Sequence, residues 1–491
     1  MTENRFKNIK SIILLLVISS LFVYVFLRAY YLSFTHDESF SFKIITGDNE
    51  PAKTANNHFI NTWLMYVFYH LFGAKEIALR LPNVLAFIMY SFFSYKILMK
   101  ASNIFLMLLG ASFLFLNPYL LDFFSLARGY GLSLGFGLGA LYFLFKQDRF
   151  TTYKKYIISL SLSLFFSLLS AYSILICINL NITLLIVFLI ELILLIKNKT
   201  IQLNKKRISI ILLIFILNLV FLVVLINRLL ILKDHNELYI GGSDNFISDT
   251  LTVLIRQSIY FGHNGELFWI RIRQIIVAVF VIAIVYQVFY KKYSPLLKIT
   301  AVLFLMVSAS ILQHYLFDVL YPLGRTSLIF IPLFALLVYF FLSDIYNKFF
   351  SKQYLKVIHN LSTLLLLCLP LGWHFINNIN LKYTKDWRYD SCTKDMIQNI
   401  IGQHKTSIYE GKTISVSNNW LFEPSINYYR FLYSMDYLSP ANRNGIDKNT
   451  DFIYCTKEEK ENLISNTTDC YTILCNYEEA ETALLKKSIC K

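Results

Sequence analysis

The chain has 491 residues, 56% of them hydrophobic, 16% aromatic and only 16% charged, with a formal net charge of +15 and a mean hydropathy of +0.52. That balance excludes an ordinary water-soluble enzyme, whose charged fraction runs near ~25%. It also excludes a nucleic-acid binder, because Lys and Arg stand in small clusters between apolar blocks and form no basic stripe.

The apolar blocks are each about 20 residues long, the length that crosses a bilayer core, and they lack the polar interleaving of a soluble core. They predict membrane helices near residues 11–34, 76–97, 103–121, 129–145, 156–176, 178–196, 208–230, 273–290, 297–317, 326–346 and 354–376. The first block is too long for a signal-peptide core and has no small-residue cleavage site, so it is read as a span. Basic clusters fall at Arg5, Lys7 and Lys10, at Lys96 and Lys100, at Lys146, Arg149, Lys154 and Lys155, and at Lys197 to Arg207. Further clusters are Lys291, Lys292 and Lys298, and Lys348, Lys352 and Lys356. All of them share one side of the membrane if the N-terminus is cytoplasmic.

The other side then receives residues 35–75, the loop 231–272 and the tail 377–491, together with acidic residues such as Asp37, Glu38, Asp48, Glu50, Asp122 and Asp318. The tail changes character. It has strand-like runs at Lys412–Ser417, Phe452–Cys455 and Tyr471–Leu474, and helix-like runs at Pro424–Tyr433 and Lys457–Ile464. The fold expected is therefore an all-α polytopic membrane domain over residues 1–376, with about eleven transmembrane helices, and a small C-terminal α/β outer domain over 377–491. Of the cysteines, Cys177 and Cys368 lie in spans, and Cys392, Cys455, Cys470, Cys475 and Cys490 lie in the tail without metal-type spacing.

Four stretches on the outer side carry chemistry. Asp37 and Glu38 follow the first span directly, where partial burial beside a second negative charge suits a general base or a metal ligand, although spacing alone favours an ordinary solvated loop pair. Asn57 and His58 precede a short aromatic run from residue 59 to 72, read as an interfacial helix. Glu76 and Arg80 are spaced i,i+4, which by itself predicts a local ion pair. Arg128, in Ala127-Arg128-Gly129-Tyr130, stands at the mouth of a helix and needs a partner, either Asp122 or an anionic ligand. Tyr321 and Arg325 bring a further guanidinium to the outer end of the tenth helix, and arginines beside an acidic pair suit a lipid phosphate. Trp269, Tyr239 and His263 in the long outer loop are weaker candidates for acceptor contact.

In order and sidedness, these residues over roughly the first 350 positions resemble bacterial GT-C glycosyltransferases of the protein O-mannosyltransferase and aminoarabinose transferase group. The departure is at the Asn57-His58 pair, where that group often has prolines and this chain has Phe59-Ile60. The resemblance implies a sugar donor on polyprenyl phosphate and transfer on the outer face of the cytoplasmic membrane to a glycan, lipid or protein acceptor. It makes Asp37 the catalytic acid-base residue with Glu38 beside it. Arg128, Arg325 and Arg80 are then the phosphate ligands, and Asn57, His58, Asp122, Tyr130 and Tyr321 the acceptor-side or supporting residues.

No cofactor is required on this reading, and a divalent metal ion on Asp37, Glu38 and His58 is optional, since guanidinium groups can replace it at a lipid phosphate. Two other classes compete. An O-antigen polymerase or ligase would use arginines of a late outer loop, here Arg256, Arg271 and Arg273. A polyprenyl-linked glycan flippase or transporter would show paired repeats and broken helices, which the sequence lacks.

Overall fold

The computed structural model of the chain describes residues 3–47, 53–146, 152–202, 204–260, 265–290, 293–406, 409, 411–465 and 471–488. Asp48, Glu50, Arg149, His263, Lys291, Lys292, Cys470 and Cys490 lie outside the described residues. Among the described residues, nine helices are long and apolar enough to span a bilayer: Arg5–Tyr31, Glu76–Leu98, Tyr153–Ser173, Leu175–Lys197, Lys205–Asp234, Glu266–Tyr290, Pro295–Phe317, Phe330–Phe349 and Gln353–Asn378.

The other two expected spans are shorter helices, Ile104–Phe115 and Gly129–Phe145, of 12 and 17 residues. At 1.5 Å per residue the former is about 18 Å long against a core of ~30 Å. The expected 103–121 span is broken by Pro118, which disfavours helix at the preceding residue. Asn117 then caps a new short helix, Pro118–Asp122, by accepting from the Leu120 amide.

Gly129–Phe145 is the packing centre, and nearly all of its residues are buried. Two devices bring its neighbours close. A Cβ at Gly135 would come within 3.0 Å of the Ala86 carbonyl oxygen, so glycine permits the approach of Glu76–Leu98. On Tyr153–Ser173, Ser163 donates to the Ala140 carbonyl at 2.8 Å and Ser170 to that of Ser133 at 2.9 Å. Small hydroxyls on one helical face thus tie two apolar helices together where water is absent.

The outer layer contains the short helices His36–Ile45 and Phe59–Phe72 and a mixed four-stranded sheet of β1 (Val416–Asn418), β2 (Phe452–Thr456), β3 (Tyr471–Tyr477) and β4 (Thr482–Lys487). The strand order is β1-β2-β4-β3, with β1 parallel to β2 and the other pairs antiparallel. The aromatic helix expected at residues 59 to 72 is present with those bounds. Among the elements the tail adds to the sequence reading are the helix Thr393–His404 and β4.

The C-terminal region closes over the segment that follows the first span. Phe34 stacks on Tyr428 at 4.0 Å, and the Phe34 amide donates to the Tyr429 hydroxyl at 2.7 Å. His36 Nδ1 lies 2.6 Å from the Leu421 carbonyl oxygen, and Lys43 and Lys394 pair with Glu423 and Glu76 at 2.5 and 2.8 Å. Residues 33–39 are consequently buried.

Asp390 anchors this cap. It is fully buried and accepts from Thr393 Oγ1 at 2.5 Å and Ser425 Oγ at 2.6 Å. Burial pushes its carboxyl up to about 7, against the lowering effect of those hydroxyls. A raised carboxyl pKa favours folding fully below the unfolded value of ~3.9, and that stability is lost as pH rises through the folded value. Asp390→Asn, which never ionises, should therefore raise the melting temperature of the detergent-solubilised protein most at pH 8, less at pH 5, and change it little near pH 3. Each pKa unit is worth ~1.4 kcal/mol. A pH-independent difference between the two proteins would contradict this.

Candidate functional site

The site begins with a helix cap. Thr35 and Glu38 form a reciprocal capping box: Glu38 Oε2 accepts from the Thr35 amide at 2.9 Å, and Thr35 Oγ1 accepts from the Glu38 amide at 3.4 Å. Successive residues on a helix point about 100° apart, so Asp37 and Glu38 face different surroundings.

Glu38 turns inward and is fully buried. Arg80 grips it with Nε to Oε1 at 2.8 Å and Nη2 to Oε2 at 2.7 Å. The Ala127 amide adds a bond to Oε1 at 2.6 Å. The remaining Arg80 donors go to the carbonyls of Ala29, Leu32 and Ser33 at 3.1, 2.8 and 2.8 Å. Every N–H of this guanidinium is used within the protein, which leaves none for a phosphate. The i,i+4 pairing with Glu76 does not form as a direct contact; Glu76 meets Lys394 at 2.8 Å.

Asp37 turns toward two other arginines. Its Oδ2 lies 3.2 Å from Arg325 Nη2 and 3.4 Å from Arg128 Nη2, with its side chain 10% exposed. Burial alone would raise this carboxyl, but Arg128 and Arg325, helped by His36 and the Trp387 indole, hold it below the usual carboxylate range. Arg128 is buried and committed: Nη1 donates to the Asp37 carbonyl and Ser41 Oγ, each at 3.1 Å, and to the Asn56 carbonyl at 3.3 Å. Its Nη2 donates to Asn56 Oδ1 at 3.2 Å.

Arg325 differs. Its side chain is 24% exposed, and among the described residues it makes a single hydrogen bond, to Asp37. Its guanidinium stacks over the Trp387 ring at 4.9 Å. Its Nη1 lies 3.8 Å from Asp386 Oδ2, to which Tyr119 donates at 3.0 Å. Burial raises the Asp386 carboxyl, and Arg325 and Tyr119 offset that only in part. Arg325 also lines a narrow cleft, polar at Tyr130 and Thr326 and apolar at Leu134, Ile174 and Ile329.

His58 completes the cluster. Its Nε2 is buried without a hydrogen-bond partner among the described residues, and its ring meets Tyr130 edge-on at 5.3 Å. Burial, with Arg128, Arg325 and Arg228 nearby, holds its pKa well below the ordinary value, so it stays neutral. Gly129 makes room for it: a Cβ there would stand 2.9 Å from His58 Cβ and 2.3 Å from the Ser173 carbonyl oxygen. The neighbouring Asn57 receives Arg228 Nη2 on its carbonyl at 2.9 Å.

A divalent ion does not fit the candidate set Asp37, Glu38 and His58. The Glu38 oxygens are taken, Asp37 lies between guanidinium groups, and His58 sits in a cationic setting. Among the described residues, no group of three His, Cys, Asp or Glu side chains converges.

Asp122 pairs not with Arg128 but with Arg28 of the first span, at 2.6 Å. It also accepts from Tyr260 at 3.0 Å and from the Lys385 amide at 3.0 Å. Tyr321 is buried against His314, ring to ring at 4.2 Å, and its backbone pairs with Gly242. In the long loop Tyr239 is exposed, whereas Trp269 lies within the helix Glu266–Tyr290 and packs on Phe268. Arg256 pairs with Glu266 at 2.6 Å, and Arg273 reaches Thr252 Oγ1 at 3.5 Å. Sequence reasoning missed Arg28, Arg228, Asp386 and Trp387, and gave Asn56, within the Asn56-Asn57-His58 stretch, no role. An ionisable residue inside a span is a signal in its own right, and it marks Arg28 and Arg228; no local pattern marks Asp386 and Trp387.

Two structures of ArnT from Cupriavidus metallidurans superimpose on nearly the whole chain. The one bound to undecaprenyl phosphate gives a TM-score of 0.53 at 11% sequence identity, over 96% of this chain and 97% of that one. The apo structure gives 0.52 at 10% identity over the same shares. The chain has the GT-C fold. No protein-family model matches it, and no curated protein matches it in sequence. Within this GT-C fold, the Asp37 cluster is assembled from the turn after the first span, the mouth of Gly129–Phe145, the turn before Phe330–Phe349 and the loop entering the C-terminal region.

The adjacent carboxylates should separate cleanly on substitution. Glu38→Gln leaves Arg80 buried with its charge unmatched and should cost about 3–5 kcal/mol of stability, the usual penalty for breaking a buried pair. Asp37→Asn should cost clearly less, because Arg128 keeps Ser41 and Asn56. Thermal unfolding of both variants in detergent checks the ranking, and equal losses would refute it.

Proposed function

We propose that this protein transfers a sugar from a polyprenyl-phosphate-linked donor to a glycan, lipid or protein acceptor, inverting the anomeric centre, at the outer face of the cytoplasmic membrane. The N-terminus is then cytoplasmic, as the one-sided basic clusters favour, and residues 377–491 form the extracytoplasmic cap. The observation that carries this reading is the Asp37 carboxylate held at 3.2 Å from Arg325, a guanidinium with spare donors that lines a partly apolar cleft. The GT-C fold shared with ArnT bound to undecaprenyl phosphate supports a lipid phosphate as the anion.

In this mechanism the donor phosphate sits on Arg325, with Arg128 behind it, and draws their charge away from Asp37. The acceptor hydroxyl attacks the anomeric carbon and passes its proton to Asp37. The bond from that carbon to the phosphate oxygen breaks, and the oxygen keeps the electron pair beside the guanidinium groups. Neutral His58, Tyr130 and Asn57 are supporting groups around the sugar. Glu38 and Arg80 act as scaffold, holding the turn that presents Asp37.

General bases contribute about 10²–10⁴-fold. Asp37→Asn should lower transfer from a polyprenyl-phosphate-linked sugar in membranes by at least about a hundredfold, and full activity in that variant would remove the mechanism. The pH profile supplies a second check. In the free enzyme both arginines depress Asp37, so the acid limb of kcat/KM should lie below the usual carboxylate range. With donor bound that depression is relieved, so the limb of kcat should lie at higher pH.

A further inference from the structure

Transfer changes the charge of the lipid. A sugar phosphodiester carries a single negative charge, whereas the phosphate monoester released carries about −1.5 to −2 near neutral pH. The cations that stabilise its departure therefore hold the product more tightly than the donor. Release then limits turnover unless something competes for the guanidinium.

Asp386 is placed for that competition. Asp37 engages Nη2 of Arg325, and Asp386 approaches Nη1, at 3.8 Å. That separation is within strong electrostatic attraction but beyond a hydrogen bond, so it draws the guanidinium without closing on it. The same Asp386 oxygen accepts from the Tyr119 hydroxyl at 3.0 Å, which helps to fix the carboxylate. Its loop is pinned on both flanks: the Lys385 amide donates to Asp122 at 3.0 Å, while the Lys385 ammonium bonds the Tyr260 carbonyl. On the other flank Trp387 lies under the same guanidinium at 4.9 Å. A buried carboxylate with no direct hydrogen bond to its nearest cation is poor scaffolding, since the Glu38–Arg80 pair shows what a closed one looks like in this chain.

We propose that Asp386 is a positioning residue acting through Arg325: it holds the guanidinium open ahead of the donor and draws it back from the spent lipid phosphate after transfer. This rests on the donor reading above and adds a residue from beyond the last span to the phosphate site.

The test is binding of undecaprenyl phosphate to the full-length protein in phosphatidylcholine nanodiscs. Asp386→Asn should bind it about tenfold more tightly than wild type, as expected for removing a like charge a few ångströms from the phosphate. Asp386→Glu, which keeps the charge, should stay within about twofold of wild type. With a polyprenyl-phosphate-linked sugar as substrate, Asp386→Asn should lower KM and steady-state kcat together while single-turnover transfer keeps its rate. A merely structural Asp386 predicts the reverse order, with the near-isosteric Asn mild, the longer Glu harmful and no gain in affinity. Equal or weaker binding by Asp386→Asn overturns the proposal and leaves the donor reading standing. Failure of wild type to bind undecaprenyl phosphate sinks both.

Discussion

The ion pair between Glu38 and Arg80 sets the position of the residues gathered around Asp37. Both side chains are fully buried, and Arg80 spends its remaining donors on carbonyls at the end of the first span. Such a pair is costly to desolvate and tolerable only when each lone pair and each N–H is matched. Here each is, so the chain has one low-energy way to leave the first helix and begin the next. That exit turns Asp37 about 100° away from Glu38, toward Arg128 and Arg325.

The arginines at this surface divide by how completely the protein satisfies them. Arg80 is saturated, and Arg28 and Arg128 nearly so, each bridging distant segments. Arg325 keeps most of its donors, is partly exposed and borders a cleft. Guanidinium groups in low dielectric bind the nearest anion strongly. Arg325, left under-satisfied beside Asp37, is therefore available to an arriving phosphate. Its neighbours Asp37 and Asp386 keep that cation matched in the meantime, which makes the site an exchange of partners rather than an empty socket.

Much of the architecture was legible in the residues. Apolar block length predicted the nine long apolar helices found among the described residues, and the aromatic run after His58 predicted a helix with its observed bounds. The expected block at 103–121 overran, because hydropathy averages over Asn117-Pro118 while the backbone cannot. Asp37, Arg128, Arg325, His58 and Tyr130 were singled out by their placement at helix mouths, and the fold brings them together. Tyr321 and Asp122, picked on the same grounds, face other partners.

Composition and block length by themselves determined a membrane protein with its polar chemistry gathered at the helix ends, because a bilayer admits only helices of a set length and expels charge from its core. Which charge meets which was decided only in three dimensions. Glu38 chose Arg80 over solvent, Asp122 chose Arg28 across 94 residues, and Asp386 came to Arg325 from beyond the last span. Sequence spacing constrains neighbours along a helix. Buried guanidinium groups take whichever carboxylate the packing of distant helices brings within reach, and that choice appears only once the helices are assembled.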